Sequence, residues 1–149
     1  MRLSVGYLEN LPDFLTWFLT ATGMTCAFML LYALVTPWRE FRLIRAGNPA
    51  AALSFASTLT GYALVLASII RSAVSRGDML TWGLIGLAVQ LLAFVVARLV
   101  IGPAMRDRIE RGDTSAGIIV AGLSLSFGLL NAATMTPDQP SPAATTAVP

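Results

Sequence analysis

Gln90 and Arg98 stand in the stretch QLLAFVVARLVIGP, which is otherwise almost entirely hydrocarbon. A glutamine amide offers two donors and an acceptor, and an arginine offers a fixed fork of donors for an anion. Thr25, Thr60, Ser124, Ser126 and Asn131 are further polar groups inside apolar runs. The chemistry open to this set is hydrogen bonding and anion contact. The ten basic residues are all Arg, with no Lys and no His, so imidazole bases, imidazole metal ligands and lysine Schiff bases are excluded. A single cysteine, Cys26, excludes an internal disulfide or a cysteine cluster. It reads as a small buried apolar residue. No cofactor is expected and no metal site.

The surroundings of these residues define the solvent. The chain has 149 residues, 56% of them apolar and 12% charged, a composition too poor in charge for a water-soluble domain of this size. Mean hydropathy is +0.72. A net charge of +2 spread over short loops offers no nucleic-acid surface.

Four runs free of charge follow one another: Phe14–Val35 (22 residues), Pro49–Ile70 (22), Met79–Ala97 (19, continuing past Arg98 to Ile101) and Thr114–Thr136 (23). At about 1.5 Å per residue each crosses about 30 Å of hydrocarbon. Backbone groups in lipid must satisfy one another, so the runs are helices. The first lacks a small-x-small cleavage site and reads as a retained span. Pro37 and Pro103 end spans one and three, while Asn48-Pro49 and Asp113-Thr114 cap spans two and four. The Pro/Ala/Thr-rich residues 136–149 read as a disordered tail.

Connections one and three hold Arg39, Arg42, Arg45, Arg106, Arg108 and Arg111; the other side holds Arg2, Arg71 and Arg76. This asymmetry places the Arg-rich connections in the cytoplasm and both termini outside.

The tripeptide LTW occurs at Leu15–Trp17 and again at Leu80–Trp82, an offset of 65 that also pairs Thr25 with Gln90, Gly47 with Gly112 and Asn48 with Asp113. Each half reads helix, proline, Arg-rich turn, glycine with Asn or Asp, small-residue helix. The expected fold is an all-α integral membrane protein of four transmembrane helices arranged as two parallel two-helix repeats. Its parts are an N-terminal segment 1–13, a first repeat 14–70, an external loop 71–79, a second repeat 80–135 and the tail 136–149.

The segments NPAAALSFASTLTGY, QLLAFVVARLVIGPAM and GDTSAGIIVAGLSLSFGLLNAATMT, with their spacing, resemble the YjfL-like family of small bacterial inner-membrane proteins built from domain of unknown function 350. The resemblance spans roughly residues 14–136. It implies two-helix units duplicated to four spans in the bacterial inner membrane, and a setting in envelope physiology with a cytoplasmic envelope-stress-type protein as partner. It brings no catalytic residue.

With each span centred in the bilayer, Thr25, Thr60, Gln90, Ser124 and Ser126 fall near the midplane. A polar layer of Gln90 with Thr60 and Ser124 or Ser126 is expected, each interhelical hydrogen bond worth roughly 0.6–2 kcal/mol. Its role is to set packing, or to contact a substrate, an ion or a second copy of the chain. Arg98 lies about 4–5 Å from the cytoplasmic end of span three and snorkels to the headgroups or contacts an anion there. Asn131 lies about 22 Å from the cytoplasmic end of span four, near the outer face. Ser54, Ser57, Thr58 and Gly61 on span two, with Gly117, Gly122, Ser124, Gly128 and Ala132 on span four, mark these spans as the inner pair or part of an oligomer seam. The turn WREFRLIR reads as a headgroup-level anchor or a docking site for a cytoplasmic protein.

Seven of the eight acidic residues, Glu9, Asp13, Glu40, Asp78, Asp107, Glu110 and Asp113, fall at span edges or in loops, so an enzyme is not expected. Two functions remain: a structural or partner-recruiting membrane protein, and an oligomeric passive channel or transporter component lined by the midplane layer.

Overall fold

A computed structural model describes residues 10–135; most of the N-terminal segment and the tail lie outside the described residues. Among the described residues six helices follow in order: α1 (Leu11–Val35), α2 (Glu40–Arg45), α3 (Pro49–Ser72), α4 (Arg76–Ile101), α5 (Met105–Glu110) and α6 (Thr114–Thr134). The four long ones have the length and apolarity to cross a membrane. The two short ones form the Arg-rich connections. These sit together at one end of the bundle, because the Asn48 amide donates to Ile109 O at 2.8 Å and to Glu110 O at 3.1 Å.

Helix boundaries follow local chemistry. The Asn48 side chain accepts from Ala51 N–H at the start of α3, Ser75 accepts from Asp78 N–H at the start of α4, and Asp113 accepts from Ser115 N–H at the start of α6. Asp78 in turn accepts from Val74 N–H at 3.2 Å. Both short helices end alike. Asn48 N–H reaches back to Leu43 O and Gly47 N–H to Ile44 O; Asp113 N–H reaches Arg108 O and Gly112 N–H reaches Ile109 O. This double bond is a Schellman stop, and it requires the positive φ that Gly47 (80°) and Gly112 (77°) supply.

α3 and α6 run parallel as the innermost pair. A Cβ built on Gly117 would lie 2.9 Å from Ala50 Cα, and one on Gly128 would lie 2.5 Å from Gly61 Cα. Such backbone proximity is what small residues permit in lipid, where packing rather than water exclusion drives association. Gly122 is on the same helix but meets nothing within 4 Å. It faces outward and takes no part in the seam, because it lies out of phase with Gly117, Val120, Ser124 and Gly128.

α4 covers this pair with the buried stripe Met79, Gly83, Gly86, Gln90, Ala93, Phe94 and Ala97. Met24 and Leu66 fill the space over Gly83, and Val65 that over Gly86. α1 is peripheral. It buries only Met24, Phe28 and Tyr32, one turn apart, while Phe14, Leu19, Leu30 and Leu34 face outward. Cys26 lies between these turns and is exposed, not buried as its apolar setting suggested. It borders a lipid-facing cleft of about 310 Å³ between α1 and α3; a second cleft of about 450 Å³ separates α1 from α4.

Candidate functional site

The buried face of α3 carries Ser54, Thr58, Gly61, Val65 and Ser68, spaced so that all point one way. Along it runs a column of polar contacts. Tyr32 OH from α1 pairs with Ser54 Oγ at 3.1 Å. Thr58 Oγ1 donates to Ser54 O at 2.8 Å and pairs with Ser124 Oγ of α6 at 2.9 Å. Gln90 Nε2 of α4 donates to Ser124 O at 3.0 Å and to Thr58 O at 3.4 Å. Two facing carbonyls leave the amide one orientation, with NH2 toward them. Gln90 is fully buried, and its Oε1 has no hydrogen-bond partner.

Gln90 and Ser124 therefore meet, but Thr60 and Ser126 do not join them. Thr60 is exposed and bonds its own helix at Ala56 O, 2.8 Å away; Ser126 is exposed on α6. Each is two residues from the member that does belong, Thr58 or Ser124, and two residues turn a helix by about 200°. Thr25 is half-buried and bonds Ala21 O at 2.9 Å, so it adds nothing to the column. Asn131 is buried on α6 with its Nδ2 unpartnered and directed toward Gly86, about a turn beyond Gln90. Ser68 Oγ continues the line, donating to Ala132 O at 2.7 Å, and Tyr62 OH donates to Gly83 O at 3.1 Å.

At the Arg-rich end the side chains sort differently from the surface anchor expected of WREFRLIR. Trp38 is 3% exposed and Glu40 is 1% exposed. The Trp38 ring lies 5.9 Å from Phe94, and Phe94 lies 5.7 Å from Tyr32. Phe41 turns outward against Phe55 at 5.4 Å. Neither Glu40 oxygen has a hydrogen-bond partner, and neither has the Trp38 indole nitrogen. Burial pushes the Glu40 carboxyl up from its ordinary 4.5 to about 7, opposed only by the nearby Trp38. Glu40 is thus a buried acid, not the loop-edge carboxylate that its sequence position suggested. No pattern in WREFRLIR shows this; the chain simply alternates, with residues 38 and 40 inward and 39 and 41 outward.

Arg98 is exposed on the rim of a cavity of about 240 Å³ shared with Pro37, Gly102, Pro103, Met105 and Arg106. Arg39, Arg42, Arg45 and Arg111 are exposed as well. Among the described residues the ion pairs are Arg106–Glu110 at 3.0 Å and Arg108–Asp113 at 2.7 Å. The Arg108 hydrogen bond holds the Asp113 carboxyl below its usual range. Among the described residues no three His, Cys, Asp or Glu side chains converge to hold a metal ion.

Comparison with known proteins agrees with this architecture. The model of the Domain of Unknown Function DUF350 matches residues 6–135. The "UPF0719 inner membrane protein YjfL" of Escherichia coli K12 is 39% identical over 129 residues, covering 87% of this chain and 97% of that protein; its counterpart in strain O157:H7 aligns equally well. No solved structure matches. With four membrane-length helices and a match across nearly the whole relative, this chain belongs to the DUF350 family of multi-pass inner-membrane proteins.

Proposed function

We propose that this protein is a structural or partner-recruiting component of the inner membrane, not an enzyme. The observation that carries the reading is the distribution of unpaired charge. Within the bundle, polar side chains turn toward one another across tightly packed backbones. At the Arg-rich end, Arg39, Arg42 and Arg45 of the first connection are exposed and lack carboxylate partners among the described residues. Six arginines in the two connections at this end give it a cytoplasmic orientation and put both termini outside. An acidic or membrane-bound cytoplasmic protein, of the envelope-stress type that the family context suggests, fits this rim through paired charges. A photo-cross-linker at Arg42 in living cells should capture one cytoplasmic protein, and one at Leu30, on the outward face of α1, should not. Capture of nothing at Arg42 would overturn the reading. A cytoplasm-only reporter active when fused at Pro149 would overturn the orientation.

The two halves read as a duplicated pair of parallel repeats. Support comes from the matching stops at Gly47 and Gly112, whose four backbone bonds keep the offset of 65.

A second reading is an oligomeric passive channel. Thr60 and Ser126 are hydroxyls at mid-depth that face outward from the bundle, where a second copy would cover them. Purified protein in nanodiscs should then be oligomeric, and in liposomes should leak ions in a way that Thr60→Val abolishes. A monomer without leak excludes this reading.

A further inference from the structure

Glu40 opens α2 as Met105 opens α5, and both are buried at the same end of the bundle. The slot that takes a thioether in one half takes a carboxyl in the other. An ionised carboxylate without hydrogen bonds is strongly disfavoured when buried, so it must be neutral or compensated. Beyond the nearby Trp38 indole, the groups facing it give no compensation. From α1 comes Tyr32, close enough to interact electrostatically with Glu40, and its hydroxyl is engaged with Ser54. α3 presents no charged side chain before Arg71; its Tyr62 bonds Gly83 O. α4 presents Phe94, while its Arg98 is turned to the rim. On α5, Arg106 and Arg108 are paired with Glu110 and Asp113. Arg39 and Arg42, beside Glu40, are exposed.

We propose that the Glu40 carboxyl is a buried proton-binding site, and that its neutral form is the one that holds α2 against the helix ends. One proton is taken up from the aqueous side to give the carboxylic acid and is returned there on release. It does not travel inward along the polar column. The links from Ser54 to Thr58 and from Ser124 to Gln90 pass through backbone carbonyls, which have no proton to hand on. Ionisation instead creates an uncompensated charge beneath Trp38 and drives the carboxylate toward water. That motion lifts the α2 segment between Pro37 and Gly47. The site stands whether or not the Arg rim recruits a partner.

Three glutamates are present in the chain, Glu9, Glu40 and Glu110, so ¹³C-carboxyl glutamate labelling of the whole protein in nanodiscs yields three resonances to titrate. Glu40→Gln assigns one directly. Should that variant not fold, Glu9→Gln and Glu110→Gln assign it by elimination. The Glu40 resonance should titrate near neutrality, with the same midpoint in sodium and in choline chloride. A Glu40 midpoint near the ordinary carboxyl value of 4.5 overturns the proposal, and so does one displaced by sodium, which would make the site a metal-cation site. In a Trp17→Phe, Trp82→Phe background, iodide quenching of Trp38 should rise several-fold across the midpoint. Glu40→Gln should keep Trp38 protected throughout. Quenching that does not change with pH in the otherwise wild-type chain overturns the link to α2.

Discussion

Gly61 and Gly128 bring the backbones of α3 and α6 into contact: a Cβ on Gly128 would stand 2.5 Å from both Cα and O of Gly61. The obstructing atoms are main-chain atoms that cannot rotate aside. Gly128→Ala should therefore push the helices apart and destabilise the protein by about 1–3 kcal/mol. Gly122→Ala, into open space, should be neutral or stabilising by up to about 1 kcal/mol, since alanine is the better helix former. Thermal unfolding of both variants in one detergent separates them; equal effects would deny the seam.

Gln90 donates to two carbonyls with its amide NH2, and only a donor suits that position. Gln90→Met should cost roughly 0.6–2 kcal/mol, the worth of an interhelical hydrogen bond in lipid. Gln90→Glu should cost more than Met, because it aims an acceptor at two acceptors. Denaturant titration of the three proteins gives the order wild type, Met, Glu.

Glu40 makes stability depend on pH with a definite sign. The unfolded carboxyl loses its proton near 4.5 and the folded one near 7, so between these values the unfolded state holds fewer protons. Stability contributed by this group falls as pH rises through that window and is level above it. Glu40→Gln removes the dependence. It should match wild type near pH 4 and exceed it by about 3 kcal/mol at pH 8, following about 1.4 kcal/mol per pKa unit. Melting temperatures at the two pH values test this.

Asn48 closes two helix ends at once, accepting from Ala51 N–H of α3 and donating to Ile109 O and Glu110 O of α5. Asn48→Ser keeps the cap but cannot span to α5; Asn48→Ala loses both. The order of stability should be Asn, Ser, Ala, with loss of the cap alone worth about 1 kcal/mol. Melting curves resolve the steps.

Arg98 lies exposed at the rim, long enough for its charge to reach headgroups. Arg98→Lys should change stability by less than about 0.5 kcal/mol, as at other exposed sites. Arg98→Gln should weaken membrane anchoring. Loss of folded protein in Arg98→Lys as severe as in Arg98→Gln would mean that a two-pronged contact, not charge alone, is needed.

The positions that were legible and those that were not differ in a physical way. Depth in the bilayer follows from counting residues, so Gln90 and Ser124 fall near the same level. Facing follows from helical phase relative to neighbours, which the count does not contain. Thr60, Ser126 and Gly122 share the depth of Thr58, Ser124 and Gly128 to within about two turns but point away from them. The stripe Ser54, Thr58, Gly61 carried the missing phase, and reading the hydroxyls along it would have selected Thr58. Glu40 had no such signal, because a carboxylate beside three arginines looks solvated until the aromatic cover of Trp38, Phe94 and Tyr32 is assembled.

By itself the sequence determined the solvent, the number of crossings and the places where helices stop, since each is set within one segment by hydrocarbon length, proline, glycine and capping side chains. Only the tertiary structure decided which polar atoms meet and which acid is sealed from water. Those outcomes depend on the rotation of each helix about its axis and on how closely backbones approach, which no single segment specifies.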